Sequence, residues 1–167
     1  YGVELPMSTS TNETLINHLR KGQIDQFNAL RMSSSSSKIS FFAEDFSNLQ
    51  LQNANLSNCD LRKCDFSNSN LSKADISRSN CNEADFSGCT MSAMFVENVQ
   101  LNEAYFEQTK IENSEFYNCF IEQAEFVNVS FTQTNLEDAP LHPRQARQAR
   151  RKRASEHNKL ARSATCL

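Results

Sequence analysis

The sequence predicts an all-β solenoid, and two observations carry that prediction. From Ile39 to Leu141 an apolar residue returns at every fifth position, without insertion or deletion, through 21 repeats from Phe41 to Leu141. Two positions before it stands a small residue, which is Ala, Cys, Ser, Thr or Val in 17 of the 21. An α-helix turns about 100° per residue, so apolar positions five apart would spiral around it and leave no buried face. A continuous strand fails as well, because residues five apart point to opposite faces. The pattern is satisfied when each repeat holds a short extended piece followed by a corner. The small and the large residue then both point inward, and the chain winds around an apolar axis.

The elements follow in order. Residues 1–10 are expected to be a disordered leader; Tyr1 to Pro6 precede Met7 and read as an added stretch or an upstream extension. Residues 11–38 are expected to form a helical cap and a Ser-rich link. Thr11 or Asn12 can cap a helix, Glu13 suits its first turn, and Leu15, Ile16 and Leu19 share one face. Gly22 breaks that helix, and Ile24, Phe27 and Leu30 make a second amphipathic turn or two before the link Ser33 to Ser37. A cap is needed because an open coil exposes core and unpaired backbone groups. Residues 39–141 are the array. Its first coils are irregular, with Glu44 and Leu49 at positions that want a small residue, as suits an end coil beneath a cap. Pro140 and Pro143 stop the array, and residues 142–167 form a basic C-terminal tail, helical or disordered.

The period does not set the number of sides. Ala54-Asn55-Leu56-Ser57-Asn58, Cys64-Asp65-Phe66-Ser67-Asn68, Ala74-Asp75-Ile76-Ser77-Arg78 and Ala84-Asp85-Phe86-Ser87-Gly88 closely resemble the signature of the pentapeptide-repeat family. Leu15 to Arg31 resembles the helical preface of many such arrays, including its aromatic-Asn-x-x-Arg ending at Phe27, Asn28 and Arg31. The resemblance implies a right-handed, four-sided β-helix, one repeat per side, with about five coils behind an N-terminal α-helical cap. Residues 20 apart then stack, and one side becomes an unbroken ladder of Phe46, Phe66, Phe86, Phe106 and Phe126.

Composition narrows the function. The net charge of −3 conceals +1 over residues 1–38, −11 over residues 39–141 and +7 over residues 142–167. No apolar run reaches the roughly 20 residues of a membrane-spanning helix, so a cytoplasmic location is the default. Cys59, Cys64, Cys89 and Cys119 take the small inward position and Cys81 the large one, which reads as core packing rather than zinc or disulfide chemistry. His18, His142 and His157 lie outside the array, and carboxylate pairs arise everywhere by repetition. No catalytic residue, metal or cofactor is expected, and no small-molecule substrate.

The outward positions carry the functional candidates. Asp45, Asp65, Asp85 and Glu125 precede the Phe ladder, interrupted by Tyr105. Stacked coils would set these carboxylates in a column about 5 Å apart, either as a solvated surface or as a binding face for a basic partner. Phe95, Tyr105, Tyr117 and Phe120 break the polar habit of the outward positions and suit a protein interface, or a surface covered by the tail. Arg144, Arg147, Arg150, Arg151, Lys152 and Arg153 would attract nucleic acid only non-specifically. The leading expectation is a non-catalytic interaction or scaffold module with an unknown protein partner. The resemblance implies an alternative, since some family members mimic duplex DNA and occupy the DNA-binding saddle of a topoisomerase such as gyrase. The acidic array agrees with that alternative; the uninterrupted repeat, the lack of an apolar C-terminal helix and the basic tail do not.

Overall fold

The computed structural model describes residues 9–33 and 38–135 of the chain. Their array winds as a right-handed, four-sided β-helix, and every pairing between coils is parallel and joins residues 20 apart, such as Ile39 with Cys59 and Phe95 with Glu115. Side one points Phe41, Leu61, Cys81, Leu101 and Ile121 inward, and side two carries the Phe ladder. Leu51, Leu71, Met91, Ile111 and Phe131 line side three; Leu56, Ile76, Val96 and Phe116 line side four.

The corner explains the period. After eleven of the large residues the chain makes a β-turn in which the residue's carbonyl accepts the N–H three residues on, as in Ala54 to Leu51 at 3.1 Å and Ser69 to Phe66 at 3.0 Å; after Phe46, Leu56 and Met91 that N–H goes instead to a serine hydroxyl of the next coil. Such a turn needs a left-handed residue at its third position. That position falls at every fifth residue, from Ala43 (φ 58°) through Asn68 (φ 59°) to Gln133 (φ 52°). Asn takes eight of the 18 non-glycine positions, because its short polar side chain tolerates this region best. In coils one to three, the Asp or Asn before the large residue adds a second brace. Its carbonyl or carboxylate oxygen accepts the N–H two residues on, at 2.8 Å for Asp65 with Ser67, Asp75 with Ser77, and Asp85 with Ser87.

Between corners the sides are too short for long strands. Side one has β1 (Ile39–Ser40) and β2 (Cys59–Asp60). Side three stacks β3 (Thr90–Ser92) on β5 (Lys110–Glu112) and β7 (Ser130–Thr132), while side four stacks β4 (Phe95–Glu97) on β6 (Glu115–Tyr117). Side two is held by single bridges from Asp45 through Asp65, Asp85 and Tyr105 to Glu125.

The interior is one continuous core. Successive rings of the Phe46–Phe126 ladder lie 5.5, 5.3, 5.1 and 4.7 Å apart, close to the spacing of stacked strands. Small polar residues survive inside because each finds one carbonyl of the coil before it. Ser69 donates to the Phe46 carbonyl at 2.7 Å, Ser79 to Leu56 at 2.7 Å, and Thr109 to Phe86 at 2.8 Å. Cys64 and Cys89 make the same contact with Phe41 and Phe66 at 2.8 Å. All five cysteines of the described residues are buried and free, as core packing requires.

The cap comprises α1 (Thr9–Arg20) and α2 (Ile24–Ser33). α1 begins at Thr9, inside the stretch expected as leader, so Thr11 and Asn12 stand within the helix rather than cap it. The run Ser8 to Thr11 offers several equivalent starting points, which is why the sequence misplaces this boundary. Gly22 closes α1 at φ 66°, with Gln23 N–H bonded to the His18 carbonyl and Gly22 N–H to Leu19, a Schellman arrangement. Leu15, Leu19 and Phe27 seal the core, with the Phe27 ring 6.3 Å from Phe41.

Cap side chains replace the partners that a preceding coil would supply. Asn28 donates to the Asn53 carbonyl at 3.0 Å and accepts the Asn55 N–H at 2.8 Å. Arg31 donates to the carbonyls of Asn55 and Ser57, and Asn12 to that of Ser40. Arg20 reaches the Asp45 carbonyl and pairs with Glu44 at 2.8 Å, which accounts for an acid at a small-residue position. Residues 136–141 of the expected array and the tail lie outside the described residues.

Two outcomes follow. Asn28→Ala strands one N–H and one carbonyl of the first coil and is expected to cost about 1–2 kcal/mol. Thermal melting would show the loss, with amide exchange accelerated at Asn55 and unchanged at Asp85. The second concerns pH. Burial pushes the Cys64 and Cys89 thiols up to about 12, whereas an unfolded thiol titrates near about 8.5. Above that lower value the unfolded chain releases protons that the folded chain retains, so stability falls from about pH 8.5 toward pH 12. Cys64→Ser with Cys89→Ser keeps the inward hydrogen bonds, as Ser69 and Ser79 do. Melting near wild type at neutral pH and a shallower alkaline decline are expected.

Candidate interaction face

In the first three coils the outward acids have local work. Asp45, Asp65 and Asp85 each accept the N–H of the serine two residues on, at 2.9, 2.8 and 2.8 Å. Like charges about 5 Å apart in water repel by about 0.8 kcal/mol. A hydrogen bond to a charged acceptor is stronger than one between neutral groups, so the brace works against the column's repulsion. At Asp45 the N–H and hydroxyl of Ser47 hold the carboxyl below the usual range. Other acids of this half are paired, Asp60 with Arg62 at 2.7 Å and Glu83 with Lys63 at 3.4 Å. The hydrogen bond and charge of Arg62 likewise lower Asp60.

From Phe95 onward that position changes character. It reads Phe95, Gln100, Tyr105, Lys110, Glu115, Phe120 and Glu125 before the polar Ser130 and Asn135 return, and none of the seven from Phe95 to Glu125 braces its own corner. The side chains are released from turn duty and stand in solvent. Phe95, Tyr105, Tyr117 and Phe120 are each about half exposed, with Val127 at 45%. Residues 99–135 carry six acids, Glu103, Glu107, Glu112, Glu115, Glu122 and Glu125, against the single cation Lys110. None of these charges belongs to a salt bridge among the described residues.

The structure divides the candidates among sides. Phe95 and Tyr117 share side four, where Phe95 pairs with Glu115 and Tyr117 with Glu97. Phe120 lies on side one, paired with Gln100. Tyr105 stays on side two between Asp85 and Glu125, in the acidic column. There a shallow groove of about 210 Å3 is lined by Asp85, Ser87, Tyr105, Phe106, Glu107, Glu125 and Val127. Asp45 and Asp65 lie outside it. Pockets for small molecules usually measure about 300–1,000 Å3, so this one suits a side chain better than a substrate. Its chemistry is an aromatic face and an apolar edge ringed by three carboxylates, which would hold a guanidinium or ammonium group. Val127 escaped the sequence analysis, and Glu107 entered there only within the charge of −11 over residues 39–141. The usable signal was the absence of Asp and Asn at that position from Thr90 to Ser130. Among the described residues no cluster of His, Cys, Asp or Glu could hold a metal, and no helix is long and apolar enough to cross a membrane.

Comparison with known proteins supports the fold. The family model for pentapeptide repeats matches in eight copies, over residues 45–80, 54–92 and 79–116. No curated protein sequence matches the chain significantly. Among solved structures, a trypsin-treated variant of QnrB1, a plasmid-mediated fluoroquinolone resistance protein, aligns with a TM-score of 0.55 at 24% identity. The alignment covers 60% of this chain and 54% of that one, so the chain spans about half of that protein's length. A pentapeptide repeat protein from the Arabidopsis thaliana thylakoid lumen aligns with a TM-score of 0.47 at 18% identity, over 64% of this chain and 70% of that one. With its five-residue corners, its 20-residue register and its inward Phe ladder, the array of this chain is one of pentapeptide repeats, matched over residues 45–116.

Proposed function

We propose that the protein is a non-catalytic interaction module, a stiff rod that docks a basic protein partner along the acidic and aromatic surface of coils three to five. One observation carries this reading. From Phe95 to Glu125 the position before each large residue stops serving the corner, and Phe95, Tyr105 and Phe120 stand there half exposed among acids that form no salt bridge among the described residues. Exposed aromatics rimmed by charge are what protein interfaces use as anchors. The rod supplies rigidity because each coil is bonded to its neighbours through the backbone. The groove around Tyr105 is the centre of the face, with the side-four pair Phe95 and Tyr117 as a second contact.

A second reading is a DNA-mimicking regulator of gyrase or another topoisomerase. The stacked column of Asp45, Asp65, Asp85 and Glu125 favours it, since carboxylates repeat along the rod as phosphates repeat along a strand. QnrB1 is described as a fluoroquinolone resistance protein, and this chain resembles it in fold alone.

Affinity capture from cell extract is expected to retain a basic partner on the wild-type rod. Tyr105→Ser should weaken that retention at least tenfold, at an unchanged melting temperature, because one anchor residue typically carries 1.4 kcal/mol or more. An identical partner set and yield with Tyr105→Ser and with Phe95→Ser/Tyr117→Ser counts against the module. A supercoiling assay separates the second reading: inhibition of gyrase, or its protection from a fluoroquinolone, at micromolar protein favours mimicry.

A further inference from the structure

The groove on side two and the arginine-rich stretch of the same chain are complementary. The groove offers Asp85, Glu107 and Glu125 around Tyr105 and Val127. Of its carboxylates, Asp85 gives one oxygen to the Ser87 N–H, and none forms a salt bridge among the described residues. Residues 144–153 hold Arg144, Arg147, Arg150, Arg151, Lys152 and Arg153 without a single acid. We propose that this stretch of the chain is the intramolecular occupant of the Tyr105 groove, and that it screens the groove from other basic partners. The inference rests on side two being the docking face.

Reach permits the contact. Asn135 pairs with Glu115 on side four. The coils pass from side four to side two in ten residues, as from Glu115 to Glu125. Ten residues beyond Asn135 is Gln145, between Arg144 and Arg147. Pro140 and Pro143 have no N–H to give to a backbone ladder, so in this proposal the side chains do the holding. Tethering matters as much as charge. A short linker presents the segment at an effective concentration in the millimolar range, far above that of a second copy in dilute solution. Arginine suits the site, because a planar guanidinium stacks on Tyr105 while forking onto Glu107 or Glu125. The apolar edge at Val127 would take the methylene stem.

The test compares the full chain with a variant carrying Arg144→Gln, Arg147→Gln, Arg150→Gln and Arg151→Gln, both followed by amide resonances in solution. The expected differences fall on Tyr105, Glu107, Glu125 and Val127, leave Phe95 and Tyr117 unchanged, and persist on dilution. Raising the salt should move the wild-type resonances toward those of the variant, since a surface contact between charges is screened. Differences that are absent, that centre on side four, or that vanish on dilution overturn the proposal, the last by assigning the groove to a second copy. Titration with an oligo-arginine peptide isolates the premise. If side two is the docking face, the variant binds the peptide through Tyr105 and Glu107 whether or not the wild-type chain is occluded. If the segment also occludes it, the wild-type chain binds at least tenfold more weakly. Equal binding by both forms removes the occupant and keeps the face, and no binding by either removes both.

Discussion

Every feature of this rod depends on one backbone constraint, a left-handed residue at the third position of each corner. It recurs at every fifth residue from Ala43 to Gln133, with Gly88 as the only glycine in the series. For an L-residue this conformation costs about 1–2 kcal/mol relative to the right-handed one. The corner recovers that cost by closing a turn hydrogen bond and delivering the next small residue to the interior. It also sets each side at five residues, and four equal sides set the 20-residue register on which the intercoil hydrogen bonds depend. A single insertion would displace every later residue from its stack.

The same register creates a problem at the first coil that packing cannot solve. Backbone groups of that coil face a direction in which no coil exists, and buried unpaired groups cost about 1–3 kcal/mol each. The helices answer with side chains. Asn28 imitates both a donor and an acceptor of an absent strand, while Arg20 and Arg31 cover adjacent carbonyls with charged donors. The cap is thus a substitute coil written in side chains, and the apolar contacts of Leu15, Leu19 and Phe27 hold it in register.

How much of this was legible in the sequence depends on whether a residue acts through the period or against it. Inward residues such as Phe86 and Ala84 were legible because burial repeats with the period. The buried cysteines were legible for the same reason. The number of sides came from resemblance, since five-residue spacing alone suits several polygons. The reach of Asn28 to Asn53 and Asn55 was hidden, because it joins residues 25 and 27 apart through a packing angle that no local pattern encodes. The Asp column was read as one surface, although Asp65 and Asp85 are committed to their own corners while Glu125 is not. Side assignments for Phe95, Tyr117 and Phe120 needed the register before they could be grouped.

The division of the acids shows where stability ends and recognition begins. In coils one to three a short Asp offsets its charge with a local hydrogen bond or, at Asp60, with Arg62, and Glu83 sits beside Lys63. In coils four and five the acids are all glutamates, one methylene longer and without that bond, and Lys110 is their sole cation. Their mutual repulsion is therefore unrelieved within residues 99–135. A surface that the fold leaves electrostatically unsatisfied gains from any cation that arrives, and Tyr105 and Val127 add an apolar contact that water cannot replace. That imbalance belongs to the later coils as a whole, and it is the groove at Tyr105 and Val127, lined by Asp85, Glu107 and Glu125, that singles out side two as the face on which a basic segment would settle.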